Sequence, residues 1–251
     1  MQFIIGLVAI LWIDRIIGTS LSLNGKVVAV TGASGALGRE LVAQLSIQGA
    51  KVVAITTNPA AIFPEGVKVL AWQLGSESEL LSELQAVDVL ILNHGINVYG
   101  DRSPAKVFES YEVNTFSTLR MAELFLGMVT DASDRTHKEL WINTSEAEIN
   151  PALSPLYELS KRTLGDLITL RRLDAPCIIR KLILGPFKSQ LNPYGVMSAS
   201  WVAEAIIFLA QRDFRNIIVT INPLTYLLFP IKEFFQSWYF RIFTKSEKIT
   251  Y

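Results

Sequence analysis

Ser145, Tyr157 and Lys161 are the residues whose types and spacing can do chemistry in this sequence. Tyr157-Glu-Leu-Ser-Lys161 sets a phenol and an ammonium four residues apart, one turn and one face of a helix. A neighbouring cation favours phenolate, so the pair is expected to bring the Tyr157 pKa down toward a range useful for proton transfer. Tyr-x-x-x-Lys alone arises often by chance and reads equally well as an exposed helix pair. Upstream of it, however, the run Leu140-Trp-Ile-Asn143 ends in Thr144-Ser145. That places a hydroxyl at the carboxyl edge of a sheet, where α/β proteins bind ligands.

A second constellation concerns a cofactor. Val27-Val-Ala-Val30 runs straight into Thr31-Gly32-Ala33-Ser34-Gly35-Ala36-Leu37-Gly38, after which a helical stretch begins. Glycines there allow a tight turn out of the strand, close approach of the backbone to a pyrophosphate, and packing of helix on sheet. The helix N-terminus then offers free N–H groups and a positive dipole end to phosphates. At the end of the second strand stands Ile55-Thr56-Thr57-Asn58, without the carboxylate that would bind a ribose 2′-hydroxyl and repel a 2′-phosphate. Thr56 and Thr57 can donate to such a phosphate, although no arginine or lysine adjoins them. The sequence therefore leans to NADP(H) over NAD(H).

The elements that must hold these residues alternate along the chain. Strands are expected at Lys26–Val30, Lys51–Thr56, Lys68–Trp72, Asp88–Leu92, Leu140–Asn143, Ile178–Leu184 and Asn216–Ile221. Helical stretches lie between them, near 36–48, 76–85, 104–129, 155–173 and 199–211. Apolar runs separated by helices predict an α/β fold, a Rossmann-type doubly wound parallel sheet in three layers. One catalytic domain is expected over 24–222, with a hydrophobic segment at 1–23 and an amphipathic, aromatic extension at 223–251.

Half of the 251 residues are hydrophobic, only 18% are charged, and the cations equal the anions. Without a basic stripe, nucleic acid is not an expected partner. Two distant histidines and one cysteine do not make a zinc site. Cys177, in an apolar run, reads as a core residue and suits a reducing, cytoplasmic setting. The apolar run Met1–Ile13 is shorter than a spanning helix needs. It fits a membrane-surface helix or an arm packed on the body or a second subunit. After Pro230, Lys232, Glu233, Gln236, Ser237 and Arg241 alternate at helical spacing with Phe234, Phe235, Trp238, Tyr239 and Ile242. That helix can lie in a bilayer interface, cover a cleft, join a dimer or pack on its own core. Two hydrophobic ends favour peripheral membrane contact through both termini.

Taken together, these motifs resemble the short-chain dehydrogenase/reductase family over roughly residues 24–222, and further resemble cyanobacterial proteins described as sterol desaturase/short-chain dehydrogenase. Only the dehydrogenase part is matched, because no desaturase-type histidine clusters exist. Thr31 to Gly38 fits the family's glycine pattern, and Asn93-His94-Gly95 stands where the family has its asparagine-rich loop. Asn114, Ser145, Tyr157 and Lys161 fit its catalytic set, and Gly185-Pro186 its element beside the nicotinamide. The resemblance implies that Tyr157 exchanges a proton with the substrate oxygen, which Ser145 hydrogen-bonds. It implies that Lys161 lowers the Tyr157 pKa and binds the ribose, and that Asn114 holds a water leading from Lys161 to solvent. Gln73 and Leu74 stand where the family often has an aspartate touching adenine, and His94 replaces a small or amide residue. Glu146 and Glu148 are read as solvent-facing ahead of touching substrate. The segment from Gly185 to Ser200 is short, so the pocket stands open or is covered by the C-terminal helix. The expected activity is NAD(P)-dependent hydride transfer between the cofactor and a hydrophobic, lipid-like carbonyl or alcohol, by a homo-oligomer. The competing readings are a catalytically silent NAD(P)-binding sensor or scaffold of the same fold, and a membrane-bound interaction protein.

Overall fold

The computed structural model describes residues 21–245. The expected hydrophobic N-terminal segment lies outside them except for its last residues, of which Leu23 is buried. Seven strands form one parallel sheet in the order β3-β2-β1-β4-β5-β6-β7. They are β1 Val27–Thr31, β2 Lys51–Thr56, β3 Lys68–Ala71, β4 Val89–Leu92, β5 Glu139–Asn143, β6 Ile178–Leu184 and β7 Asn216–Val219. β4 and β5 are buried along their whole length. This is why β4 and the centre of β5, Leu140–Ile142, read as unbroken apolar runs. The chain builds outward from β1 through β2 to β3, then crosses back to lay β4 on the other side of β1. That reversal opens a crevice at the carboxyl ends of β1 and β4, the place where such sheets bind ligands.

Helices cover both faces. One core packs α1 (Ala36–Ile47), through Leu41 and Leu45, and the later helix Ala199–Ala210, through Val202 and Ile206, on the sheet. The opposite core packs Met121 and Phe125 together with Leu164 and Ile168. In chain order after α1 come α2 (Leu81–Leu84), α3 (Pro104–Tyr111), α4 (Ser117–Leu126), α5 (Ala132–His137), α6 (Pro155–Arg171), α7 (Ala199–Ala210) and α8 (Pro223–Phe243). The stretch expected as one helix over 104–129 is divided: a π-helical turn, Glu112–Phe116, joins α3 to α4. The widened turn carries Asn114, and such bulges often mark functional positions. α5 was not expected. It buries no residue and rests on its cap, where Asp131 accepts from the N–H of Asp134.

The C-terminal helix departs most from expectation. It starts at Pro223, not after Pro230, and the Asn222 side chain caps it by accepting from the N–H of Leu224. Its inward residues are Thr225, Phe229 and Glu233. Glu233 reaches Lys181 and Arg172, each at 3.0 Å. Phe234, Phe235, Trp238, Tyr239, Ile242 and Phe243 are all more than half exposed. Phe229 packs with Ile183 and Ile218, and beyond Pro230 the helix is seated by its polar face and presents its aromatic face outward. Among the described residues no helix is long and apolar enough to cross a membrane.

Candidate active site

Thr31, the last residue of β1, organises the crevice. Its hydroxyl accepts from the N–H of Asn93 at 3.0 Å, which ties the end of β1 to the loop after β4. Gly32 follows with φ +63°, and a Cβ there would press on the backbone of His94. Gly35 caps α1 through its backbone, with no side chain bonded to the first turn and no acidic residue in it. The N–H groups of Ala36, Leu37 and Gly38 therefore face outward without helical partners, as an anion requires. A Cβ on Gly38 would overlap the carbonyl oxygen of Gly32. A loop this tight, opening onto an uncapped helix, fits a pyrophosphate, so the residues present suit a dinucleotide.

The remaining expected cofactor residues fall into two groups. Thr56 donates to Ser34 Oγ at 2.9 Å, which joins the end of β2 to the glycine loop, and Thr57 is exposed beside it. The sequence shows no cation near Thr56, yet the fold supplies one: Arg39 donates to the carbonyls of Ser34 at 2.9 Å and Ile62 at 3.1 Å. It stands one residue beyond Gly38, where the helix turns it back to the loop. Gln73 and Leu74 are exposed, whereas Trp72 is buried edge-on to His94, with ring centroids 5.1 Å apart. The His94 ring also meets Thr31 at 2.8 Å and Thr118 at 3.2 Å. Burial, and secondly the charge of Lys161, push its pKa down to about 3, so it is a neutral structural link. Asn93 accepts from Asn143 Nδ2 at 3.1 Å. Gly95 leaves room for Asn114, and Gly185 for Thr220 and Glu146. Pro186 accepts from the N–H groups of Val196 and Met197.

Asn114, Ser145, Tyr157 and Lys161 come together above the ends of β4 and β5. The Ser145 hydroxyl stands near enough to the Tyr157 phenol to favour its ionised form. Lys161 is buried and donates to the carbonyl oxygen of Asn143 at 2.9 Å. Asn114 accepts from the N–H of Ile96 at 2.8 Å and donates to Ser160 Oγ at 3.0 Å. Asn114 Oδ1 and Lys161 Nζ both border the space that a Cβ on Gly95 would take. The expectation for the tyrosine needs correction. Burial pushes the Tyr157 pKa up, and the opposing influence is the Ser145 hydroxyl, not the lysine. Lys161 is itself desolvated, which brings it down to about 8, with Glu148 pulling in the other direction.

Two further expectations change. Glu148 is not solvent-facing: it is buried and bonds Lys181 at 2.9 Å and Lys232 at 2.8 Å. Nor does the aromatic half of α8 cover the pocket. Arg241, Thr244 and Lys245 lie beside Leu170 and Leu173, at the far end of α6 from Tyr157. At ~1.5 Å per residue Leu170 stands roughly 20 Å along the helix from Tyr157. The cover comes instead from the loop after β6. It folds back on itself through a bridge between Phe187 and Met197. Its tip is tied across the mouth by Tyr99, donating to Gln190 O at 2.9 Å, and by Asn97, donating to Leu191 O at 3.1 Å.

The family model described as short chain dehydrogenase matches residues 26–162. Monoglucosyldiacylglycerol epimerase of Synechocystis sp. is 55% identical over 240 residues, covering 93% of this chain and 58% of that protein. This chain therefore spans little more than half of that relative's length. A short chain dehydrogenase of Burkholderia cenocepacia in complex with NADP is 17% identical with a TM-score of 0.72, covering 90% of this chain and all of that one. The ligand-free aldohexose dehydrogenase of Thermoplasma acidophilum is 21% identical with a TM-score of 0.65, covering 80% of this chain and 94% of that one. These two likenesses concern the fold alone. The family match takes in the glycine loop, Asn114, Ser145, Tyr157 and Lys161. The chain is a member of the short-chain dehydrogenase family, an NAD(P)-dependent oxidoreductase enzyme.

Proposed function

We propose that this enzyme acts on the sugar headgroup of a membrane glycolipid, oxidising a secondary alcohol and reducing the resulting carbonyl, with inversion at that carbon. The observation that carries this reading is the 55% identity to a glucosyl-lipid epimerase across nearly the whole chain. The site chemistry suits it. NAD(P), when bound, supplies the acceptor and donor of hydride. Tyr157 takes the alcohol proton as the carbonyl forms and returns it once the sugar has presented its other face. Ser145 donates to the same oxygen and stabilises its developing charge. Lys161 holds a positive charge beneath the pair and orients the ribose, while Asn114 holds the path for the proton between Lys161 and solvent. Oxidation and reduction balance, so a retained cofactor returns to its starting state.

For the cofactor, NADP(H) is favoured by the absence of a carboxylate at Thr56-Thr57-Asn58 and by Arg39 at the back of the glycine loop. Arg39→Ala should weaken NADPH more than NADH in a fluorescence titration. We further propose that the aromatic face of α8 lies in the bilayer interface of an otherwise cytoplasmic enzyme. Trp238 and Tyr239 suit headgroup depth, and Arg241 and Lys245 lie at the same end. Vesicle co-sedimentation of Phe234→Glu, Trp238→Glu tests this better than truncation, which would also remove the buried Phe229 and Glu233. Self-association is assigned to the outer face of α3 and α6, where Phe108 and Leu159 are exposed, and sedimentation velocity tests it.

The deciding experiment supplies monoglucosyldiacylglycerol in vesicles with each nicotinamide cofactor and follows the sugar configuration by NMR. Tyr157-dependent formation of the epimer is expected. Cofactor binding with no Tyr157-dependent turnover of this lipid or of simple carbonyls would return the chain to the sensor class. A pure binder needs the glycine loop but not all of Asn114, Ser145, Tyr157 and Lys161.

A further inference from the structure

The turn after Ser145 carries two carboxylates that the reaction does not use. Ser145 itself has φ +76° and ψ +151°, a conformation that costs free energy and persists only where the surrounding structure holds it. On one side the N–H groups of Thr144 and Ser145 donate to the carbonyl of Leu182 in β6, at 3.1 and 3.3 Å. On the other side the 3-10 turn Glu146–Glu148 begins, and Ala147 donates to Ser145 Oγ at 3.2 Å. Glu146 accepts from Thr225 in the first turns of α8 at 3.3 Å, and Asn150 donates to the same hydroxyl at 2.7 Å. Glu148 Oε2 accepts from Lys181 of β6 at 2.9 Å and from Lys232 of α8 at 2.8 Å. Beyond these lie Glu233 on Lys181, Arg172 on Glu233, and Asp166 on Lys232. Three cations thus meet three anions, so the cluster is formally neutral although its centre is dry. Gly165 of α6 makes room for it, since a Cβ there would overlap the Glu148 carboxyl.

We propose that Glu148 is a positioning residue for the reaction: clamped between Lys181 and Lys232, it fastens the Ser145 turn to β6 and to the C-terminal helix. The hydroxyl that meets the Tyr157 phenol is then held in register by α8, the same helix whose outer face is assigned to the bilayer. The glycolipid-oxidoreductase reading underlies the catalytic half of this proposal, while its structural half stands on the geometry alone. Glu148 has a second consequence. Its charge opposes the effect of burial on Lys161, which also faces His94 across the site. Removing that charge lets the lysine lose its proton at lower pH.

The test uses the full chain with Glu148→Gln and Lys232→Met. Hydrogen exchange over 144–150, NADPH affinity, and kcat, KM and their pH dependence on monoglucosyldiacylglycerol vesicles are compared with wild type. Both variants should exchange faster over 144–150 while NADPH affinity stays within about twofold. In Glu148→Gln, kcat should fall by about tenfold or more with KM little changed, the mark of a misplaced group. Its alkaline limb should also move to lower pH, which a merely structural loss would not cause. Lys232→Met should show the smaller kcat loss, because Lys181 stays on Glu148, and it carries the test if Glu148→Gln does not fold. Unchanged exchange over 144–150 in the folded variants overturns the proposal. So does a kcat loss that follows NADPH affinity with an unmoved pH limb. If wild type itself turns over no substrate, the glycolipid reading fails, and exchange over 144–150 alone decides whether the clamp exists.

Discussion

Replacing Glu233 with glutamine keeps the volume of the side chain and removes the charge that α8 sets against Lys181 and Arg172. Glu233 Oε2 lies 3.0 Å from Lys181 Nζ and accepts from Thr169 at 2.9 Å, and its Oε1 lies 3.0 Å from Arg172. Burial alone would push this carboxyl up, but Lys181 and Arg172 overcome it and hold the group down to about 2. A carboxyl taken from its ordinary 4.5 to about 2 contributes about 3 kcal/mol of stability at neutral pH. The folded value lies below the unfolded one, so this stability is fully present above pH 4.5 and is lost as pH falls toward 2. Breaking a buried pair from one side costs a similar amount, roughly 3–5 kcal/mol, because the remaining charges keep their desolvation. Urea unfolding of wild type and Glu233→Gln should therefore differ by about 3 kcal/mol at pH 7. The gap should be nearly the same at about pH 5.5 and fall to less than half by about pH 3. A difference below ~1 kcal/mol at pH 7, the worth of an exposed ion pair, would refute the reasoning. So would a gap that stays constant into acid, since no carboxylate titration would then lie behind it.

Tyr157→Phe should lower kcat by about 10²- to 10⁴-fold, the usual contribution of a positioned acid–base, with NADPH affinity retained in a fluorescence titration. Gly38→Ala forces a Cβ onto the Gly32 carbonyl, and isothermal titration should show NADPH binding weakened by at least ~10-fold, or ~1.4 kcal/mol. Lys161 works as a cation below its pKa of about 8, so the kcat profile should fall as pH rises through that value. Lys161→Arg, which keeps its charge, should lose that limb whatever its remaining rate.

The alternation of strands and helices is legible in the sequence because the central strands are buried on both faces and leave unbroken apolar runs. The glycine loop and the Tyr157–Lys161 pair are legible because their spacing is local. The rest depends on burial, on backbone bonding, or on residues distant in the chain. α5 has no apolar period to read, since it buries nothing. The π-helical turn at Asn114 is a property of backbone hydrogen bonding that leaves no mark on the pattern of side-chain types. Glu148 reads as solvent-facing until Gly165 and Lys181 are seen to make a dry, charged slot for it. Arg39 lay in plain view, one residue beyond the loop, but its approach to Ser34 depends on how α1 leaves the turn. The direction of the Tyr157 pKa went astray because sequence spacing registers the nearby cation and not the burial of the phenol.

The orientation of α8 follows the same logic. Periodicity shows two opposed faces without saying which lies inside, and elsewhere in this protein the apolar face does. Here the seat is β6, where Lys181 points into the layer beneath α6 and α8 and is fully buried. A buried ammonium needs carboxylates, or its desolvation cost is offset by no partner. Glu148 alone meets it from the turn, and Glu233 supplies the second anion only if the polar face turns inward. The consequence is that Phe234, Phe235, Trp238, Tyr239, Ile242 and Phe243 stay more than half exposed and forgo much of the stabilisation that burial would bring. Contiguous faces of this kind mark a surface that meets an apolar phase or partner. Charge at Lys181 therefore does two things at once: it fixes the helix to the serine turn, and it leaves the aromatic face outward, where the proposed bilayer contact would form.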